Sequence, residues 1–143
     1  LGDARLERIA LLFLDIDDFA VYNNTYGHHE GDKVLRLLVE TVNRSIRAGD
    51  RVIRYGGEEF VVLLTDMNGA AAAGVAGRIK SNLESLQDTG WTKPVTVSIG
   101  ISSMPEDTKD KHQLLLFADQ AMYKAKEAGK DTIRAWSAIK DPA

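Results

Sequence analysis

The chain of 143 residues contains no cysteine. This absence excludes a disulfide scaffold and any metal site built from cysteine thiolates. Long apolar runs are missing as well, since none approaches the roughly 18 residues of a membrane-spanning helix. The chain also lacks an excess of basic residues: its net charge is −3, which provides no overall positive field for nucleic acid or a membrane surface. We therefore expect a domain that contacts neither.

The residues that are present are ordinary for one globular domain. Apolar residues make up 44% and charged residues 27% of the chain, which are typical values. A chain of this length buries roughly two-thirds of its unfolded surface, and it shows no repeat or linker, so we expect a single domain over residues 1–143. The apolar run 9–14 ends at a carboxylate, unlike a secretory signal peptide. Together with the lack of cysteine, this favours a cytoplasmic location.

The apolar pattern predicts strands and helices in alternation. The continuous run at 9–14 indicates a strand covered on both faces. The segment 95–102 alternates strictly and predicts a half-buried strand, whose other face carries only Thr, Ser and Gly and allows a close approach. The remaining elements are a short helix or turn at Phe19–Tyr26, long helices at 30–48, 70–86 and 112–128, a hairpin around Gly56 and Gly57, and a strand at 132–136. This order predicts an α/β (α+β) domain with a ferredoxin-like split βαβ sheet.

The most informative segment places two carboxylates directly after two glycines. Gly56 and Gly57 lie between apolar segments and are followed by Glu58 and Glu59. This pattern predicts a β-hairpin in which the glycines supply the positive φ angles of a two-residue turn. The acids at its tip can hold a cation. The alternative is a simple turn with solvated acids.

Three more acids follow the first strand. Asp17 or Asp18 could be a helix N-cap, but capping does not need three acids. In the predicted order the first strand can lie beside the hairpin, so Asp15 could face Glu58 and Glu59. Clustered carboxylates repel one another and their pKa values rise, and a hard divalent cation such as Mg²⁺ relieves this. Two metals in such a cluster support in-line attack at phosphorus.

Other polar residues suit a nucleotide. Asn23 and Asp32 lie just past the first strand and can read a base edge, with Asp favouring the donors of guanine; the alternative is turn chemistry and a first-turn acid. His28 and His29 are adjacent, so we expect them to have loop or capping roles rather than to bind a metal. Lysines at the end of the last long helix either complement the helix dipole or reach a triphosphate: Lys124, Lys126 and Lys130.

Several motifs occur in a fixed order along the chain. They are Phe19 with Asn23, Gly27-His28 and Gly31-Asp32, then Arg54-Tyr55-Gly56-Gly57-Glu58-Glu59-Phe60, then Val97-Ser98-Ile99-Gly100, and finally the run from Ala118 to Lys126. Over about residues 9–136 the sequence resembles the GGDEF family of diguanylate cyclases, whose members condense two GTP molecules into cyclic di-GMP. The resemblance implies a topology like that of nucleotidyl cyclases and polymerase palm domains.

The resemblance also implies roles for individual residues. Asp15, Glu58 and Glu59, helped by the carbonyl of Ile16, would hold Mg²⁺ or Mn²⁺, and Glu58 would also help to activate the 3′-hydroxyl. Asp17 would be mainly structural. Asn23 and Asp32 would recognise guanine, Gly56 and Gly57 would let the backbone approach the nucleotide, and two lysines would contact the terminal phosphates: Lys126 and Lys130.

A second match concerns regulation. Arg47 and Asp50 form an Arg-x-x-Asp at the distance before Gly56 where the family has its inhibitory product site. The resemblance therefore implies that cyclic di-GMP binds there, with Arg78 as a further contributor. The alternative is that the pair is only a solvated helix end.

The chain departs from the family pattern at three places. Ala20 and Asn24 stand where relatives usually have Lys and Asp, and the leading segment with its Leu-Thr and Asn-Arg signature is absent. We therefore expect an excised catalytic domain with a sensory portion upstream, the cytoplasmic part of a larger bacterial protein. We predict a diguanylate cyclase that is active as a homodimer. A catalytically silent receptor for GTP or cyclic di-GMP is the alternative, and a polymerase-like reading is weaker because no basic template groove is visible.

Overall fold

The computed structural model describes residues 7–87 and 93–139, and its elements alternate as the sequence predicts. The strands are β1 (Ile9–Ile16), β2 (Arg51–Arg54), β3 (Glu59–Thr65), β4 (Val97–Met104) and β5 (Ile133–Ala135). The helices are α1 (Phe19–Tyr26), α2 (His28–Ser45), α3 (Gly69–Gln87), α4 (Lys111–Glu127) and α5 (Trp136–Ile139). Within these ranges no helix is both long and apolar enough to cross a membrane.

The five strands form one sheet in the order β2-β3-β1-β4-β5. The central strand β1 is antiparallel to both β3 and β4, whereas β5 runs parallel to β4. Because β1 is covered on both faces, all eight of its residues are buried, which explains its continuous apolar run. The predicted fold class, a split βαβ sheet flanked by helices, is confirmed.

The alternation of side chains along β1 divides the core between the two faces of the sheet. Leu12 and Leu14 pack into a cluster with residues of α1, α2 and α3. Leu11 and Phe13 lie on the other face, against the buried side of α4. By the same alternation Asp15 belongs to the α4 face, so α4 is the helix that supplies its neighbours.

Strand β4 differs from the prediction of a half-buried strand, because all eight of its residues are buried. The face with small polar residues packs against α4. Ser102 donates a hydrogen bond of 2.6 Å to the carbonyl of Leu114, which satisfies its buried hydroxyl. At Gly100 a Cβ would lie 2.1 Å from the carbonyl oxygen of Ala118. The close approach expected at this face is therefore made by the backbone of α4.

The hairpin is present, but the two-residue turn predicted for it is wrong. Arg54 pairs with Phe60, and the backbone amides of Tyr55 and Gly56 both donate to the Glu59 carbonyl, at 2.8 and 3.2 Å. Neither Gly56 nor Gly57 has a positive φ. The wider loop closes without the mirror-image turn that demands such angles. Gly56 is required for space instead, since a Cβ there would lie 2.6 Å from Oε1 of Glu59.

Candidate functional site

The end of β1 and the start of β3 bring the predicted acids to one end of the sheet. Asp15 is directly opposite Glu59 in the strand register, and the amide of Ile16 donates to the carbonyl of Glu58 at 3.2 Å. Across 7–87 and 93–139, however, no three acidic or histidine side chains are arranged as a set of metal ligands. The backbone therefore brings these residues together, and their side chains are not gathered around one point.

Asp15 is a buried carboxylate with incomplete hydrogen bonding. It is only 8% exposed, its Oδ2 lies 3.4 Å from Nζ of Lys126, and its Oδ1 is buried with no hydrogen-bond partner. Burial raises the pKa of Asp15 to about 6; Lys126 opposes this rise, and Glu58 and Glu59 add to it. An unsatisfied buried oxygen among acids is the kind of donor that Mg²⁺ or Mn²⁺ takes. The residues present thus fit the divalent cation that the sequence implies.

The raised pKa of Asp15 predicts a specific dependence of stability on pH. Because the folded protein holds this proton more tightly than the unfolded chain, its stability should fall as the pH rises from about 4 to about 6. Asp15→Asn cannot ionise, so we expect this variant to gain stability relative to the wild type by about 3 kcal/mol across that window, with no further change above pH 7. Urea unfolding of both proteins at several pH values, with EDTA present, measures this difference. A difference that is the same at pH 4 and pH 7 would contradict the assignment.

Asp17 connects three parts of the chain. Its Oδ1 accepts from the hydroxyl of Ser98 at 2.6 Å and its Oδ2 from that of Thr96 at 2.6 Å and from the amide of Asp131 at 2.9 Å. Burial raises the pKa of Asp17, but these bonds, with Lys126, outweigh it and hold the pKa below its ordinary value. This arrangement agrees with the mainly structural role expected for Asp17.

Of the two acids considered as helix caps, Asp18 takes the N-cap position of α1. It has a φ of 55°, however, and its side chain makes no hydrogen bond to the helix. The reason is that the carboxylate of Asp18 is paired elsewhere, with Nζ of Lys130 at 2.5 Å.

The lysines at the end of α4 differ in what they contact. Lys126 lies between Asp15 and Asp17, and Lys130 reaches the same end of the sheet. Lys124 pairs with Glu127 one turn along the helix, at 3.2 Å, with both side chains more than half exposed. The two lysines assigned to phosphate are therefore the two that the fold directs to the acids.

The residues assigned to the base lie where α1 meets α2. Asn23 packs so closely on Gly31 that a Cβ there would fall 1.7 Å from its Oδ1, and this oxygen is buried without a hydrogen-bond partner. Asp32 directly follows Gly31 in α2 and is exposed. His28 and His29 form the first two residues of α2. A cavity of about 310 Å³ opens between α2 and the hairpin. Its lining was not foreseen from the sequence and consists of Leu35, Arg36, Val39, Glu40, Arg54 and Phe60.

The residues of the predicted product site lie near the end of α2. The side chain of Asp50 is 1% exposed, and it accepts from the amides of Arg47 and Thr65, at 3.0 and 2.9 Å. Although burial raises the pKa of Asp50, these hydrogen bonds lower it below its ordinary value. The side chain of Arg47 is more than half exposed, and its guanidinium donates to the carbonyl of Thr65 and lies 3.5 Å from Oδ2 of Asp50. The guanidinium of Arg78 donates to the carbonyl of Ser45 at 2.9 Å. Asp50 therefore organises the turn, and Arg47 contacts this turn while more than half of its side chain stays open to the solvent.

The chain matches a family model and curated proteins over most of its length. The model described as diguanylate cyclase, GGDEF domain, matches residues 2–132. Diguanylate cyclase A of Treponema denticola is 38% identical over 129 residues, which cover 89% of this chain and 35% of that protein. YhcK of Bacillus subtilis is 40% identical over 88% of this chain and 36% of its own length. The chain thus spans about a third of the length of the curated relatives it matches.

Solved structures show the same architecture. The GGDEF domain of YfiN from Pseudomonas aeruginosa superposes with a TM-score of 0.82 at 36% identity, covering 90% of this chain and 82% of that one. The active GGEEF domain of a diguanylate cyclase from Vibrio cholerae gives 0.81 at 26% identity, with coverages of 91% and 83%. The GGDEF domain of DgcB from Caulobacter crescentus, solved in complex with cyclic di-GMP, gives 0.75 at 27% identity, with coverages of 92% and 79%. The chain therefore belongs to the GGDEF family of diguanylate cyclase domains.

Proposed function

We propose that this domain is itself an active diguanylate cyclase, which condenses two GTP molecules into cyclic di-GMP and releases two pyrophosphates. The observation that carries the proposal is the position of Asp15: a buried carboxylate with one unsatisfied oxygen, opposite Glu59 at the signature loop. The intact Gly-Gly-Glu-Glu-Phe sequence supports it, since a solved domain with this signature from Vibrio cholerae is described as active.

The acids would hold the metal, and the lysines would bind the phosphates. Asp15, Glu58, Glu59 and the carbonyl of Ile16 are the proposed ligands of Mg²⁺ or Mn²⁺, which would neutralise charge at the α-phosphate and make the 3′-hydroxyl more acidic. Glu58 would also help to activate that hydroxyl by accepting its proton. Lys126 and Lys130, supplied by the end of α4, would hold the terminal phosphates.

The base and the second substrate complete the proposal. Asn23 and Asp32 would bind the guanine edge, and Gly56 and Gly57 would let the backbone come near the nucleotide. One domain would hold one GTP, so two domains must face each other for each 3′-hydroxyl to attack the other α-phosphate. A homodimer is therefore the proposed active form, and the cytoplasm, which supplies GTP, remains the predicted location.

Incubation of the domain with GTP and Mg²⁺ tests the activity directly. Chromatography with mass spectrometry should detect cyclic di-GMP, together with two pyrophosphates for each molecule of it. The alternative function is a catalytically silent receptor. One observation favours it: Ala20, which is exposed on α1, stands where relatives usually have a positively charged lysine. Binding of GTP or cyclic di-GMP with no product under these conditions would decide for the receptor.

Base selectivity provides a prediction for Asp32. Its carboxylate can accept from both the amino and the imino group of guanine, whereas the edge of adenine offers one amino donor beside an acceptor nitrogen, so GTP should bind more tightly than ATP. Asp32→Ala should weaken GTP binding by about tenfold or more and reduce this preference, because a charge-assisted hydrogen bond contributes about 1.5 to 3 kcal/mol. Calorimetry with GTP and with ATP measures both affinities. The control is Asp66→Ala, which removes an acid just after β3, at the end of that strand remote from the signature loop. Equal binding of ATP and GTP by the wild type would contradict the assignment.

Product binding provides a prediction for Arg47. We propose that cyclic di-GMP binds at Arg47, Asp50 and Arg78 and inhibits by holding two domains apart. The side chain of Arg47 is more than half exposed, and its guanidinium has planar donors, beyond the one that bonds the Thr65 carbonyl, that suit a phosphate or a guanine edge. Arg47→Ala should abolish binding of cyclic di-GMP, measured by calorimetry, while synthesis stays equal or rises. Product binding as tight as in the wild type would show that the Arg47-Asp50 pair only closes the end of α2.

A further inference from the structure

Lys126 contacts two carboxylates that differ in their other partners. Its Nζ lies 3.4 Å from Oδ2 of Asp15 and 3.3 Å from Oδ1 of Asp17. Asp17 has further hydrogen bonds, from Ser98, Thr96 and the amide of Asp131. The other oxygen of Asp15 has no partner in the part of the chain that is described. Lys126 is therefore a supplementary partner for Asp17, whereas for Asp15 it supplies the nearby positive charge.

We infer that Lys126 is the counter-cation of Asp15 when no metal is bound, and that it competes with the divalent cation for this carboxylate. The inference rests on the proposed function, because it takes Asp15 as a metal ligand and Lys126 as a phosphate ligand. An ammonium at 3.4 Å from Asp15 and a divalent cation on the same carboxylate would repel each other strongly in this poorly hydrated place. The ammonium must therefore move away from Asp15 when that carboxylate becomes a ligand.

Asp17 keeps the displaced ammonium close to the site. The three bonds that fix Asp17 come from Ser98 of β4, from Thr96 just before that strand and from the turn after α4, and none of them involves Asp15. Lys126 can thus lose one carboxylate and remain beside the other, with a donor free for a phosphate oxygen. Filling of the acidic site and binding of the triphosphate then favour each other, and this coupling is reciprocal.

The test is Mn²⁺ binding in the absence of nucleotide, measured by calorimetry on the wild type and on Lys126→Met. Removing the competitor should make Mn²⁺ bind about tenfold more tightly, within the range usual for coupled sites. Lys130→Met is the matched control: it removes the same charge at the same end of the sheet, but from Asp18 rather than Asp15. We expect its affinity to change by less than about threefold, because exposed pairs contribute little.

Each outcome decides between the possibilities. Asp15→Asn should abolish Mn²⁺ binding. If Lys126→Met binds Mn²⁺ no more tightly than the wild type, while Asp15→Asn has lost Mn²⁺ binding, the proposed competition is refuted and the proposed metal site stands. Binding that does not depend on Asp15 would overturn both. An equal gain in Lys130→Met would show a general effect of charge and also overturn the competition. If circular dichroism shows that Lys126→Met is unfolded, Lys126→Gln, which retains a donor for Asp17, gives the same comparison.

Discussion

Replacing Glu59 with alanine is expected to lower cyclic di-GMP synthesis more than hundredfold while the domain stays folded. Glu59 is partly exposed and lies opposite Asp15 at the end of the sheet, so its carboxylate is not needed for the core. Its proposed role is to hold the cation that offsets charge developing at the α-phosphate. Loss of one such stabilising group commonly costs about 3 to 4 kcal/mol of the barrier, or a factor of a hundred to a thousand.

The measurement is the initial rate of product formation with GTP and Mg²⁺, together with a circular dichroism spectrum. Glu127→Ala is the matched control, because it removes an exposed carboxylate of α4 that pairs with Lys124 and lies outside the proposed site. We expect its rate to stay within about threefold of the wild type, since surface substitutions are usually mild. A folded Glu59→Ala variant with a normal rate would refute the assignment of the metal ligands.

Replacing Gly100 with alanine is expected to cost about 3 kcal/mol or more of stability, as overpacking of a tight core does at its upper end. The added Cβ would lie 2.1 Å from the carbonyl oxygen of Ala118 and 2.2 Å from the amide nitrogen of Met122. Both atoms belong to the backbone of α4, which cannot turn aside as a side chain can. The helix would have to move away from β4, taking Lys126 with it.

Urea unfolding measures this loss, and the chain contains a matched control. At Gly74, within α3, an added Cβ meets no atom within 4 Å beyond the adjacent backbone of its own helix, so the same substitution there should stabilise the helix by about 0.5 to 1 kcal/mol. The two variants carry the same chemical change and are expected to shift the unfolding midpoint in opposite directions. A Gly100→Ala protein as stable as the wild type would mean that α4 packs less closely on β4.

The sequence predicted the elements well where one local pattern determined them. The apolar run of β1 and the helical spacing in α2 and α4 each reflect burial against a neighbour, and burial shows directly in the sequence. The alternation in β4 was harder to interpret. Ser98 and Ser102 resemble solvent-facing residues, but their hydroxyls are satisfied by Asp17 and by a carbonyl of α4, so that face is buried too.

The site was predicted only in part, because its geometry depends on contacts distant in sequence. The hairpin motif and the acid directly after the apolar run 9–14 identified Glu59 and Asp15, which the register then placed opposite each other. The position of Lys126 between two carboxylates could not be predicted, since it depends on how α4 packs on the sheet. The Gly-Gly turn was assigned positive φ angles because that geometry is common for such pairs. The actual loop is wider, and no local signal reveals the number of residues it leaves unpaired.

The two ends of β1 suggest how this domain could be controlled by design. Ile9 pairs with Thr65 and Met104, whereas Asp15, six residues further on, pairs with Glu59, so the two ends are about 20 Å apart at the usual rise of a strand. A ligand-sensing protein fused ahead of β1 would be attached at the end remote from the acids. Because β1 is buried and bonded on both sides, a pull on its start would move the whole sheet rather than reshape the acidic end. In the proposed homodimer, engineered control would therefore act through the distance and orientation between the two copies, and the length of the linker would be the variable to tune.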